Sequence, residues 1–187
     1  MAPMNEEILI SVDVETSGDS PSTGSLLSVG ACLVDDPAVG LYLELKPEPD
    51  RPWSAEAEAV HHLSRDRLQR EGLEPAAAMR KLADWVGEVA GDGGPVFVGF
   101  NASFDWMFVA DCLWRHLGHN PFGISALDLK SVYMGRHGVA RWEETRKMHI
   151  ERRLGLRFEH THDALQDARD QARLAQVLLQ RPLNEPE

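Results

Sequence analysis

Residues 8–18 read Ile-Leu-Ile-Ser-Val-Asp-Val-Glu-Thr-Ser-Gly. Seven residues of largely branched apolar type make 8–14 a buried strand, and Thr-Ser-Gly ends it in a turn. Asp13 and Glu15 lie two apart at the end of that strand. Side chains alternate across a strand, so the two carboxylates project to the same side. Working outward, residues 26–34 and 41–45 read as the next two strands, parted by Asp35-Asp36-Pro37, and the three form an antiparallel meander. The stretch 46–52 is extended and rich in proline, and 54–70 holds short helical pieces. A helix then runs from Pro75 to about 90, with Met79, Leu82, Val86 and Ala90 on one face and Gly91 as its stop.

Further along, 96–100 is a fourth strand, entered through Gly93-Gly94-Pro95. A helix over 103–117, closed by Gly118, follows it. Residues 124–129 form a fifth strand. The segment 135–159 is less regular, with one helix around 142–154. The last helix spans 163–180 and stops before Pro182, leaving 181–187 as a loose tail. Three successive strands followed by alternating helix and strand predict an α/β chain with one mixed five-stranded sheet flanked by helices. With 187 residues, the length fits a single domain over 1–187 with its core at about 7–180.

Composition narrows the function classes. Apolar residues make up 43% and charged residues 26%, ordinary globular usage. No apolar run is long enough to span a bilayer, and the first ten residues carry two acids and no basic region of the secretory kind. Cys32 and Cys112 are 80 positions apart and suit two buried thiols better than a disulfide or a metal site. A soluble cytoplasmic setting without membrane contact is the expectation. The net charge of −11 argues against a broad surface for gripping duplex phosphates. Yet residues 130–157 hold eight basic and three acidic side chains, either a solvated helix face or a phosphate-contacting one.

Several acidic positions bear on chemistry. The Asp13–Glu15 spacing alone carries little weight in a chain with 30 acids. Its place at the end of an apolar strand raises it, because paired buried carboxylates repel unless a cation sits between them. Residues 100–105, Phe-Asn-Ala-Ser-Phe-Asp, leave the fourth strand and open a helix. Asn101 or Ser103 is placed to cap that helix, and Asp105 in its first turn suits the helix dipole. In the last helix Ala164, Leu165, Ala168, Ala172, Ala175 and Leu178 form the buried stripe. Asp167 falls at the edge of the stripe, with no Lys or Arg of that helix placed to reach it. Asp163 and Asp170 point further towards the polar side, and Asp163 is the natural N-cap. His162 stands over the helix mouth, five residues before Asp167, whereas His160 reads as a surface residue. Hard oxygen ligands of this kind suit Mg²⁺ or Mn²⁺. Two such ions can serve an in-line phosphodiester displacement, with histidine as a base for the attacking water.

These residues resemble the DEDD exonuclease superfamily in its histidine variant, DEDDh, which includes the proofreading subunit of bacterial DNA polymerase III, ribonuclease T and oligoribonuclease. The resemblance covers residues 8–179. Its first motif resembles Asp13-Val14-Glu15-Thr16-Ser17-Gly18, its second 101–105, and its third His162-Asp163-Ala164-Leu165-Gln166-Asp167-Ala168. Residues 60–64, Val-His-His-Leu-Ser, resemble a family turn that usually has Gly after the first His. The tyrosine variant would place Tyr at 163, where this chain has Asp. The resemblance implies an RNase H-like fold and 3′→5′ release of 5′-mononucleotides from single-stranded or frayed 3′ ends of DNA or RNA. It implies that Asp13 bridges two metal ions, that Glu15 and Asp167 complete one site, and that Asp105 holds the second ion through water. His162 would act as the general base. Thr16, Asn101, Phe104 and His61 would contact the substrate. The chain departs from the pattern at Asp19, where relatives commonly carry an apolar residue, at Phe100 for a common His, and at His62 for a common Gly.

Two other readings stand beside this one. A polymerase-bound proofreading subunit is less favoured, because such relatives continue past the last helix with a segment that holds the polymerase. A catalytically inactive nucleic-acid-binding protein on the same fold would usually lack a carboxylate, and none is missing. The family includes monomers and dimers, so a homodimer is compatible with the sequence.

Overall fold

The computed structural model describes residues 6–158 and 161–180; the tail from 181 and His160 lie outside them. Five strands form one sheet in the order β3-β2-β1-β4-β5: β1 Glu7–Thr16, β2 Leu26–Leu33, β3 Gly40–Glu44, β4 Gly94–Gly99 and β5 Ala126–Asp128. The expected meander is present, with β1–β2 and β2–β3 antiparallel, while β4 and β5 join parallel. Strand β1 outruns the expectation at its end: Glu15 and Thr16 belong to it, and the register shifts between them. A local bulge of this kind re-aims the side chains next to it.

Helices cover both faces. The helices are α1 Ala55–His61, α2 Arg65–Glu71, α3 Pro75–Ala90, α4 Ser103–Leu117, α5 Leu129–His137, α6 Lys147–Leu154 and α7 Ala164–Gln180. Alternation in β1 sends Ile10, Val12 and Val14 into the core shared with α3 and α4. Ser11, between them, turns the other way and donates from its Oγ to the carbonyl of Ala168 in α7 at 2.8 Å. Asp13 and Glu15 follow Ser11 in the same alternation, so both face α7. On that side Val98, Leu129, Tyr133, Ile150, Ala172 and Leu178 form a second cluster joining α5, α6 and α7.

One glycine sets how closely α7 approaches. Gly30 of β2 pairs with Asp13 across the ladder. A Cβ on Gly30 would lie 2.1 Å from the carbonyl carbon of Ala164, so only a residue without one lets the start of α7 lie on the sheet beside Asp13.

The chain departs from the sequence reading in four places. The fifth strand is only three residues long, and α5 begins at once after it. Asp128 ends the strand because its Oδ2 caps α5 by accepting from the amide of Ser131 at 3.0 Å. The helix expected around 142–154 is two pieces, a 3₁₀ turn Trp142–Thr145 and α6, separated at Arg146 in extended conformation. Neither Asn101 nor Ser103 caps α4. Its N-cap is Ala102, without a side-chain bond; Asn101 is in the left-handed region at φ 63°, and its carbonyl accepts from the Phe104 amide. Asp170, placed on the polar side by its helical direction, is 1% exposed. Helix α7 is flanked by the sheet and by α5, so its covered arc is wider than that of a helix lying on one surface. Both cysteines are free and buried, as expected.

Candidate active site

Strands β1 and β4 run parallel, and both deliver their carboxyl ends to one spot. Asp13 and Glu15 arrive from β1, Asp105 from the first turn of α4 just beyond β4, and Asp167 and His162 from the first turn and mouth of α7. All five line one open cavity of about 320 Å³, together with Phe100, Asn101, Phe104 and Lys147. The third motif is assembled by its cap. Asp163 Oδ1 accepts from the Gln166 amide at 2.9 Å, and its carbonyl accepts from the Asp167 amide at 2.8 Å. His162 precedes the cap at φ 53°, a bend that brings its exposed ring over the cavity. One ligand atom each from Glu15, His162 and Asp167 lie within 4.8 Å of one another.

The carboxylates are held by unequal means. Asp105 is buried, and its Oδ1 accepts from the Val14 amide at 3.1 Å, which ties α4 to β1. Asp13 Oδ1 accepts from the Nε2 of Gln171, whose Oε1 in turn accepts from the Phe100 amide at 2.9 Å. Asp167 is buried, and its Oδ1 has no hydrogen-bond partner. The ammonium of Lys147 stands 3.6 Å from that oxygen and 5.5 Å from the centre of the Phe158 ring.

Crowding acids in a partly dry pocket makes their charged forms costly. Burial first, and then the Asp105, Asp167 and Glu15 charges, push the Asp13 carboxyl well above its ordinary range, with Lys147 opposing. Burial, then Asp167 and Asp105, push Glu15 up to about 8. Burial raises Asp105 as well, against the lowering effect of the Val14 amide. Without a cation the cluster therefore keeps protons at neutral pH. A divalent cation would replace those protons, and the donor set fits one: carboxylate oxygens from three elements, one of them buried and without a hydrogen bond. Hard oxygen donors match Mg²⁺ or Mn²⁺.

The four expected substrate-contacting residues divide. Thr16, His61 and Phe104 line a second cavity of about 360 Å³ that shares Val14, Glu15 and Phe104 with the first. His61 Nδ1 accepts from the Leu63 amide at 2.9 Å, while its buried Nε2 has no partner; burial lowers its pKa below the ordinary imidazole value. The next residue, His62, takes the left-handed C-cap of α1 at φ 58°, which accounts for the Gly common there in the resembling family. Asp19 also lines this cavity. Asn101 lies on the other side of the first cavity, where its Oδ1 accepts from Lys130 Nζ at 3.4 Å.

Lys147 and Gln171 escaped the sequence reading. Gln171 is four residues after Asp167 and so shares its helix face, a signal available in the sequence. Nothing local separates Lys147 from the other cations of its segment. Within that segment Arg141 and Arg146 pair with Glu143, while Lys130 and Lys147 turn towards the site.

The model of the RNase T family, described as an exonuclease family, matches residues 10–175. The chain is 43% identical over 175 residues to the 3′-5′ DNA exonuclease Cap18 of Escherichia coli, covering 93% of this chain and 92% of the relative. Among solved structures it resembles the nuclease domain of 3′hExo, a DEDDh family member bound to rAMP. That match has a TM-score of 0.74 at 14% identity, over 100% of this chain and 99% of the other. It also resembles E. coli exonuclease I in complex with a dT13 oligonucleotide, with a TM-score of 0.71 at 18% identity, over 94% of this chain and 42% of that one. At these identities the two structures speak for the fold, which is that of RNase H-like exonucleases.

Proposed function

The chain belongs to the RNase T exonuclease family and is a 3′→5′ exonuclease; we propose that it removes 5′-mononucleotides from single-stranded or frayed 3′ ends of DNA, by hydrolysis with two divalent cations and His162 as general base. The observation that carries this reading is the single cavity lined by Asp13, Glu15, Asp105, Asp167 and His162. DNA is favoured over RNA by the 43% identical DNA exonuclease.

Asp13, Glu15 and Asp167 would hold one cation, and Asp13 with Asp105 the second. When bound, Mg²⁺ or Mn²⁺ supplies charge that activates water and steadies the leaving oxygen. The chain's own residues do the rest. The terminal nucleotide enters the cavity of Thr16, His61 and Phe104, which sets the last phosphodiester over the carboxylates. His162 takes a proton from the attacking water, the new oxygen–phosphorus bond forms, and the bond to the 3′ oxygen of the preceding nucleotide breaks. That oxygen takes a proton from solvent, leaving a new 3′-hydroxyl and a 5′-mononucleotide. The proximity of His162 to Glu15 and Asp167 also admits a second reading, in which the imidazole is a metal ligand.

Shortening of a 5′-labelled single-stranded DNA oligomer in Mg²⁺ or Mn²⁺ tests the proposal, with a matched RNA oligomer alongside. Asp13→Ala should abolish the ladder, and full activity in that variant would refute the site. His162→Ala should lower kcat by roughly 10²–10⁴-fold while calorimetry finds cation binding little changed. A matching loss of binding would instead make His162 a ligand.

A further inference from the structure

A third cavity, of about 460 Å³, adjoins the first across Asn101 and shares no residue with the Thr16–His61 cavity. The three therefore lie in series, with the carboxylates in the middle. If the terminal nucleotide occupies one end and the scissile phosphodiester the middle, the strand leaves through the third. That cavity has the chemistry for an unpaired base. Trp142, 49% exposed, and Ile124, 88% exposed, both line it, two large apolar side chains kept in water at the mouth of a charged site. Lys130 Nζ sits 4.2 Å from the centre of the Trp142 ring, 6.0 Å from that of Phe100, and bonds Asn101 at the junction of the two cavities. Its cation thus stands where a phosphate must pass from one cavity to the next. The acid on this wall, Asp128, is turned onto the amides of Ala102 and Ser131 and the Ser131 hydroxyl, so its oxygens are already engaged.

We propose that this cleft binds the nucleotide upstream of the scissile bond, its base stacked against Trp142 and Ile124 and its phosphate neutralised by Lys130. Aromatic stacking accepts any base, because every base has a π face. A base inserted here cannot stay paired, so at least two nucleotides at the 3′ end must be single-stranded. The inference rests on the exonuclease reading and adds the strand's exit path to it.

Kinetics on a 5′-labelled DNA pentanucleotide and on the same strand with an abasic residue in the penultimate position, and on duplexes with 3′ overhangs of graded length, test it. In the unaltered protein the abasic residue should raise KM, and blunt duplexes should be poor substrates. Trp142→Ala should abolish that difference, raising KM on the intact pentanucleotide roughly tenfold, and Trp142→Phe should restore most of it. Lys130→Ala should also raise KM on the pentanucleotide and flatten its salt dependence. An abasic penalty unchanged in Trp142→Ala overturns the proposal, including the case in which this patch docks a protein. Failure of the unaltered protein to shorten either oligomer would instead overturn the exonuclease reading.

Discussion

Replacing Lys147 by Met should make the site bind divalent cations more tightly. The Lys147 ammonium lies 3.6 Å from Asp167 Oδ1, with the two side chains 22% and 10% exposed. At an effective dielectric constant of about 20 the attraction is about 4–5 kcal/mol. Desolvation and side-chain relaxation offset much of it. If about a third survives, a cation arriving at Asp167 must overcome about 1.5 kcal/mol, or about tenfold in affinity. Removing the ammonium releases that factor. Lys147 is also the group that lowers the Asp13 pKa, so its loss leaves Asp13 more firmly protonated and gives the incoming ion an extra proton to displace. The gain should therefore be larger at about pH 8.5 than at about pH 6.5. Calorimetric titration of Mn²⁺ into nucleotide-free protein at both pH values measures this, with Lys147→Arg as the charge-preserving control. Met and Arg variants that bind Mn²⁺ with the same affinity as the unaltered protein would show that the ammonium does not compete for the cation site.

Two further outcomes follow from the same geometry. Folded-state pKa values of Asp13, Glu15 and Asp105 are raised, Glu15 to about 8, so between the ordinary carboxylate range and pH 8 the folded chain holds protons that the unfolded chain has released. Stability in EDTA should then fall as pH rises through that window, and Mg²⁺ should reverse the trend above pH 7; a Tm in EDTA that climbs from pH 5 to pH 8 would contradict the carboxylate burial. Gly30→Ala would drive a Cβ into the backbone at Ala164, which should cost about 1–3 kcal/mol or more and weaken Mn²⁺ binding by moving Asp167 away from Asp13. Calorimetry and denaturant melts of that variant check both effects.

The local sequence determined more of this protein than its weak individual motifs promise. Apolar alternation and turn residues specify the meander, α3, α4 and α7, because those signals act within a few residues. Asp13, Glu15, Asp105, His162 and Asp167 were each legible beside the element that carries them. Short elements were not: β5 is three residues long, α5 takes its form from Asp128 capping and from packing on α7, and the turn at Trp142 rests on α5 and α6. Asp170 looked polar because a helical wheel assumes one covered side. What only the tertiary structure decided is how these pieces meet. Gly30 admits α7 to the sheet, Gln171 holds Asp13, Lys147 reaches Asp167 from another helix, and Trp142 lines one cavity with Asn101 across 40 intervening positions of chain. Contacts between residues that distant depend on chain closure and packing, for which neighbouring sequence carries no signal.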